Sequence, residues 1–170
     1  MHPHQEFGQD LGTRIAGSRY PGQVYETAPR NVYWETTIAC DLACRHCRAN
    51  AIAVPHPEQL STEEGMALMR DVKAMGSMLI LTGGDPMKRL DLFELLGYAR
   101  EIHLPVSITP STTPTLTQTD VERFRALGVA AMGVSLDGPS PEVHDAFRGV
   151  TGTFGHSMNA LDWARESHLP

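Results

Sequence analysis

From Asn31 onward, short apolar runs alternate with stretches in which apolar residues recur every three or four positions, the pattern of strands alternating with amphipathic helices. Val32-Tyr33-Trp34-Glu35-Thr36-Thr37-Ile38 is rich in β-branched and aromatic residues and predicts a first strand that delivers Cys40 at its carboxyl end. Ser61-Thr62-Glu63-Glu64 is a capping-box sequence, in which a serine oxygen and a glutamate carboxylate satisfy each other's free backbone amides. The helix it opens is expected to place Leu68, Val72 and Met75 on one face, and Met66, Met69 and Met75 are expected in the core rather than as soft metal ligands. Met78-Leu79-Ile80-Leu81 predicts a strand buried on both faces. Asp91 is expected to cap a second helix with Leu92, Leu95, Leu96 and Ala99 inward. A third strand is predicted over Val106–Thr109, a third helix over Thr119–Leu127 stopped by Gly128, and a fourth strand over Ala131–Leu136. A brief helix then starts at Pro141, and a longer one covers Phe154, Met158, Leu161 and Arg165.

Four strand-helix units in series imply an α/β fold with parallel strands and right-handed crossovers. Ligands of such sheets lie at the carboxyl ends of the strands. Cys40, Cys44 and Cys47 follow the first strand, Gly83 and Gly84 the second, while Ser107 and Thr109 end the third and Ser135 and Asp137 the fourth. All candidate residues therefore converge on one rim. The first thirty residues differ in kind: His2, Pro3 and His4 are followed by glycines and polar residues with no sustained period, so 1–30 reads as an irregular arm with solvated histidines and 31–170 as the folded core.

Composition narrows the function classes. Fourteen basic against 20 acidic residues give a net charge of −6 with no basic stripe, which argues against a nucleic-acid partner. No apolar run approaches the roughly 20 residues of a membrane span. Reduced, clustered thiols suit the cytoplasm.

The three cysteines form a C-x-x-x-C-x-x-C cluster with no fourth cysteine in the chain. An odd number cannot all pair internally, and nothing at the N-terminus reads as a secretory signal, which argues against disulfides. Two metal readings stay open. His46 would complete a Cys3His zinc set, although its adjacency to Cys47 strains a tetrahedron that zinc sites usually close with two separated pairs. A four-iron cluster ordinarily takes four thiolates, so three would leave one iron open to a small molecule. The compact loop favours the cluster.

The spacing resembles the signature of the radical S-adenosylmethionine (radical SAM) enzymes, and two further motifs extend the likeness. Leu81-Thr82-Gly83-Gly84-Asp85-Pro86 is similar to the family's G-G-E-P turn, and Val134-Ser135-Leu136-Asp137-Gly138 to its ribose-contacting strand end. Trp34-Glu35-Thr36-Thr37, Cys44-Arg45-His46-Cys47-Arg48-Ala49 and His144-Asp145-Ala146-Phe147-Arg148-Gly149 resemble the branch that modifies peptides or tetrapyrroles. The resemblance implies a [4Fe-4S] cluster on Cys40, Cys44 and Cys47, with S-adenosylmethionine on the fourth iron. It also implies reductive cleavage to methionine and a 5'-deoxyadenosyl radical that abstracts hydrogen from a small-molecule or peptide substrate, fed by an electron donor. No catalytic residue beyond the cluster is implied.

The cosubstrate contacts implied are Gly83, Gly84, Asp85, Pro86, Thr109, Ser135 and Asp137. Glycines let backbone approach a polar ligand, and the likeness assigns this turn to the methionine amino group. Asp85 stands where the family has glutamate, which leaves the backbone contacts available but shortens the side chain. Asp137 has the acceptors for ribose hydroxyls and is equally a turn aspartate before Gly138-Pro139. Arg148 offers a planar fork for the cosubstrate carboxylate or for a surface ion pair. Arg45 and Arg48 either offset cluster charge or stand exposed. The family closes six strand-helix units into a partial barrel, whereas this sequence carries four. The expectation is therefore an incomplete (β/α)6 barrel: a fragment, or one half of a split enzyme whose complementary chain supplies the missing strands. The alternative function is a non-catalytic metal-binding fragment, with zinc or an inert cluster, that acts through a partner.

Overall fold

In the computed structural model, which describes residues 28–170, four strands pair in chain order into one parallel sheet. They are β1 (Asn31–Glu35), β2 (Met78–Thr82), β3 (Val106–Ile108) and β4 (Ala131–Met132). The irregular arm expected over 1–30, with His2 and His4, lies outside the described residues except for its last three positions. Register separates the two faces of the sheet. Trp34, Leu81, Ile108 and Met132 form one row across all four strands, and all four are buried. Tyr33, Ile80, Ser107 and Ala131 form the next row on the opposite face, where none is fully buried. The both-faces burial expected for Met78–Leu81 is therefore corrected: Leu79 and Leu81 enter the core, while Ile80 faces an open cleft.

Among the described residues five α-helices accompany the sheet: α1 (Thr62–Ala74), α2 (Leu92–Glu101), α3 (Gln118–Ala126), α4 (Pro141–Arg148) and α5 (Thr153–Glu166). Leu92, Leu95, Leu96 and Ala99 all point inward from α2 as their spacing predicts, and join Met69, Val72, Val121 and Phe124 in one apolar core. Ser61 and Glu64 form the expected reciprocal cap, with bonds of 3.2 and 2.8 Å. Thr117 and Asp120 form a second one that was not anticipated.

Several expectations are corrected. On α1 the inward face is Gly65, Met69 and Val72; Met75 is the C-cap and is exposed, because the helix ends one residue before it. The last helix, α5, covers Phe154, Met158, Leu161 and Arg165 as predicted; its inward face is Thr153, Ser157, Ala160 and Ala164, so small residues let it lie close while Met158 and Leu161 stay outside. Asp91 sits at the N-cap of α2 without a capping bond, since its carboxylate is held by the Arg89 guanidinium at 2.7 Å and the Thr62 hydroxyl at 2.7 Å. Three strands, β1, β3 and β4, end earlier than predicted, whereas β2 runs one residue further, to Thr82. β1 stops at Glu35 because its partner β2 runs into the glycine turn: after Thr36 N bonds Thr82 O, the carbonyls of Thr37 and Ala39 accept from Gly84 N and Asp85 N instead of from a straight strand. β4 stops at Met132, so Ser135 and Asp137 lie in the segment beyond the strand.

Candidate functional site

The cysteine loop is built between the end of β1 and the end of α4. Cys40 N donates to Ile52 O and Ile52 N to Ile38 O, closing the base of the loop. Ala43 N and Arg45 N donate to the carbonyls of Arg148 and Phe147, so the terminal carbonyls of α4, which lack partners within the helix, are satisfied by the loop. His46 stacks on Phe147 at 4.6 Å. Cys40 is buried, while Cys44 and Cys47 are half-buried. Each sulfur has donors: Leu42 N at 3.4 Å from Cys40, Ala51 N at 3.3 Å from Cys47, and an Arg148 guanidinium nitrogen at 3.9 Å from Cys44. Burial pushes the Cys44 thiol up, and the Arg148 charge beside it pulls in the other direction.

Gly83 and Gly84 follow β2 and pass directly beside the loop. Gly83 has φ +133°, and a Cβ on it would stand 2.3 Å from Thr37 O; one on Gly84 would stand 2.5 Å from Ala39 O. No side chain fits at either position. Asp85 turns away from the cleft and is fully buried. Its carboxylate accepts from Met87 N, Ser111 N and the hydroxyls of Thr113 and Thr115, at 3.1 to 3.3 Å. Burial raises the Asp85 carboxyl above its ordinary range, against the pull of these four donors. Pro86 is buried and starts a single 3-10 turn, from which Lys88 reaches Asp41 in the cysteine loop at 2.7 Å.

Arg148 ties the fourth unit to the loop. Its Nε lies 2.6 Å from Asp137 Oδ2, and a terminal nitrogen donates to Ser135 O at 3.3 Å. His144, fully buried and edge-on to Phe154, accepts from Asp137 N through Nδ1 at 3.1 Å and so fixes the turn that presents this carboxylate. Asp145 on the same helix receives Gly152 N, Phe154 N and the Thr153 hydroxyl, which caps α5 from outside it.

These elements surround a cleft of about 790 Å³ on the open face of the sheet. Cys40, Cys44, Cys47, Gly83, Gly84, Thr109 and Arg148 line it, together with Tyr33, Glu35, Ile80, Thr82 and Ser111. Asp85 and Pro86 lie beneath it, and Ser135 and Asp137 stand behind Arg148. Arg48 is exposed and paired with Glu35 at 3.3 Å, and Arg45 is exposed. Sequence reasoning did not single out Ser111, Thr113 and Thr115. Their signal was the run of hydroxyl residues Ser111-Thr112-Thr113-Pro114-Thr115 just after β3. His144 stands in the motif 144–149 read from the sequence, but its own role depends on a contact seven residues away.

The donor set suits an anionic, sulfur-ligated group. Three soft thiols face one cavity, two of them hydrogen-bonded by backbone amides and one beside a buried guanidinium. Among the described residues no three Cys, His, Asp or Glu side chains gather around a single metal ion. No helix among them is long and apolar enough to cross a membrane.

Comparison with known proteins agrees with the fold. The sequence model of the Radical SAM superfamily matches residues 34–170. The AdoMet-dependent heme synthase of Oleidesulfovibrio alaskensis is 38% identical over 169 residues, covering 98% of this chain and 43% of that protein. The Fe-coproporphyrin III synthase of Methanosarcina barkeri is 41% identical over 140 residues, or 81% of this chain and 34% of that protein. Streptococcus suis SuiB bound to precursor peptide SuiA superposes with a TM-score of 0.70 at 18% identity, over 82% of this chain and 31% of that one. The chain spans about two fifths of the length of the curated relatives it matches.

Proposed function

The chain belongs to the Radical SAM superfamily, and from that membership and the cleft geometry we propose that Cys40, Cys44 and Cys47 hold a [4Fe-4S] cluster whose fourth iron takes S-adenosylmethionine. The observation that carries this reading is the convergence of all three cysteine sulfurs and both motif glycines on one cleft at the carboxyl ends of parallel strands. When bound, the cluster supplies the single electron that cleaves the cosubstrate's carbon–sulfur bond and so generates a radical able to abstract hydrogen.

The residues of the chain bind and orient. Gly83 and Gly84 let the turn pass against the cysteine loop with its backbone bordering the cleft, close to where the polar end of the cosubstrate would lie, while Gly84 N and O are engaged by Thr37 O and Ser111 Oγ. Thr109 presents a hydroxyl at the end of β3. Arg148 supplies positive charge beside Cys44, and Asp137 and Ser135 act through it by holding its guanidinium in place. Asp85 and Pro86 shape the turn from below. The reading calls for an electron donor to the cluster, a reductant or a partner protein.

For the substrate we propose a tetrapyrrole rather than a peptide. Relatives named for heme and Fe-coproporphyrin synthesis share 38 to 42% identity with this chain. Exposed Tyr33 at the mouth of the cleft, and beside it Arg48, whose pairing with Glu35 is solvent-exposed, suit a flat, carboxylate-bearing ring. The test is anaerobic reconstitution followed by iron, sulfide and zinc analysis, and paramagnetic resonance of the reduced protein with and without S-adenosylmethionine. Iron and sulfide in equal amounts, with a spectrum that responds to the cosubstrate, is the expected result; stoichiometric zinc without iron contradicts it.

A further inference from the structure

One hydroxyl links the glycine turn to a cysteine sulfur. Ser111 Oγ donates to Gly84 O at 2.7 Å and lies 3.5 Å from Cys40 Sγ. A serine has a single O–H proton, and a thiolate bound to iron has none to give, so any hydrogen bond between this pair in the loaded protein must run from Ser111 to sulfur. The position is held with unusual firmness. Thr112, the next residue, adopts φ +51°, a left-handed conformation that a β-branched side chain resists. It is buried, and its hydroxyl is 2.8 Å from Ser157 on α5. This backbone turn is what brings Ser111 N to one oxygen of Asp85 and the Thr113 hydroxyl to the other. Strain retained at a buried, pinned residue beside a site marks a place where the surrounding structure enforces a geometry.

Resting on the cluster reading above, we propose that Ser111 is a positioning residue that tunes the cluster through Cys40. Hydrogen bonds to cluster sulfurs help set the reduction potential, because they stabilise the more negative, reduced state. In the loaded protein Gly84 O and Cys40 Sγ would compete for the single Ser111 proton, so the potential would depend on the glycine turn.

The test compares cluster reduction potentials of the anaerobically reconstituted chain, each sample first shown by iron and sulfide content to hold the cluster. Ser111→Ala is expected to shift the potential to a more negative value. Thr113→Val removes a neighbouring hydroxyl from the same Asp85 without touching sulfur, and is expected to leave the potential at the wild-type value. If Ser111→Ala does not hold the cluster, Ser111→Thr and Ser111→Val replace it, being alike in size and differing in the hydroxyl. A more negative potential for valine than for threonine supports the assignment. Equal potentials in either comparison, or an equal shift in Thr113→Val, overturn it while leaving the cluster reading intact. A wild-type chain that assembles no iron–sulfur cluster overturns both.

Discussion

Arg148 and Asp137 form an ion pair at 2.6 Å, and the same guanidinium reaches to within 3.9 Å of Cys44 Sγ. One arginine on α4 thus joins the end of the fourth unit to the cysteine loop of the first. Both partners are largely buried, so removing one leaves the other's charge uncompensated, a cost of about 3 kcal/mol for pairs of this kind. Arg148→Ala is accordingly expected to lower unfolding stability in urea by about that amount. A double-mutant cycle with Asp137→Asn should show strong coupling between the two sites. Additive effects would mean that Arg148 acts through its packing instead.

Gly84→Ala should cost about 1–3 kcal/mol through overpacking, because its new methyl meets backbone atoms of Ile38 and Ala39 at 2.5 to 2.7 Å, and backbone cannot swing away as a flexible side chain would. The cysteine loop must shift to admit it. Iron retained per chain after reconstitution should fall in step, and the measurement is iron content together with the urea midpoint.

Asp85 gives a pH dependence opposite to that of most carboxylates. Burial raises its native carboxyl above the ordinary 3.8, so above that pH the native state holds a proton that the unfolded state has released. Stability therefore falls as pH rises from the ordinary value through the raised one, and flattens beyond it. Asp85→Asn resembles the protonated acid and should lack this fall. Urea midpoints of the two proteins across the mildly acidic to neutral range should diverge in favour of the variant as pH rises; parallel curves would contradict the account.

His46 separates the cluster from a Cys3His zinc site. Its ring is stacked on Phe147, and a cluster on the three cysteines needs no ligand from it. His46→Ala is expected to retain iron and sulfide in full, whereas Cys44→Ala loses both. Loss of the metal in His46→Ala would favour zinc.

The order of elements was legible because apolar periodicity and the capping sequence of Ser61 and Glu64 report local geometry, and the shared rim follows from parallel topology alone. Strand ends were less legible. Nothing local to Thr36 says that its partner strand turns away at Gly83. The inward face of α5 was not legible, because Phe154, Met158 and Leu161 outrank Ser157 and Ala160 in hydrophobicity, while close helix packing selected the small residues. Asp85 and Asp137 stood out as acidic residues in the right motifs. That their carboxylates are spent on Ser111, Thr113 and Thr115, and on Arg148, depends on contacts between 11 and 30 residues distant in sequence, which no local pattern carries.

The most direct measurement of the central claim is paramagnetic resonance of the anaerobically reconstituted, reduced chain before and after addition of S-adenosylmethionine. A cluster held by Cys40, Cys44 and Cys47 with one iron open should give a signal that changes on addition, and Cys44→Ala should abolish it. A reduced cluster whose spectrum is unchanged by S-adenosylmethionine would contradict the account.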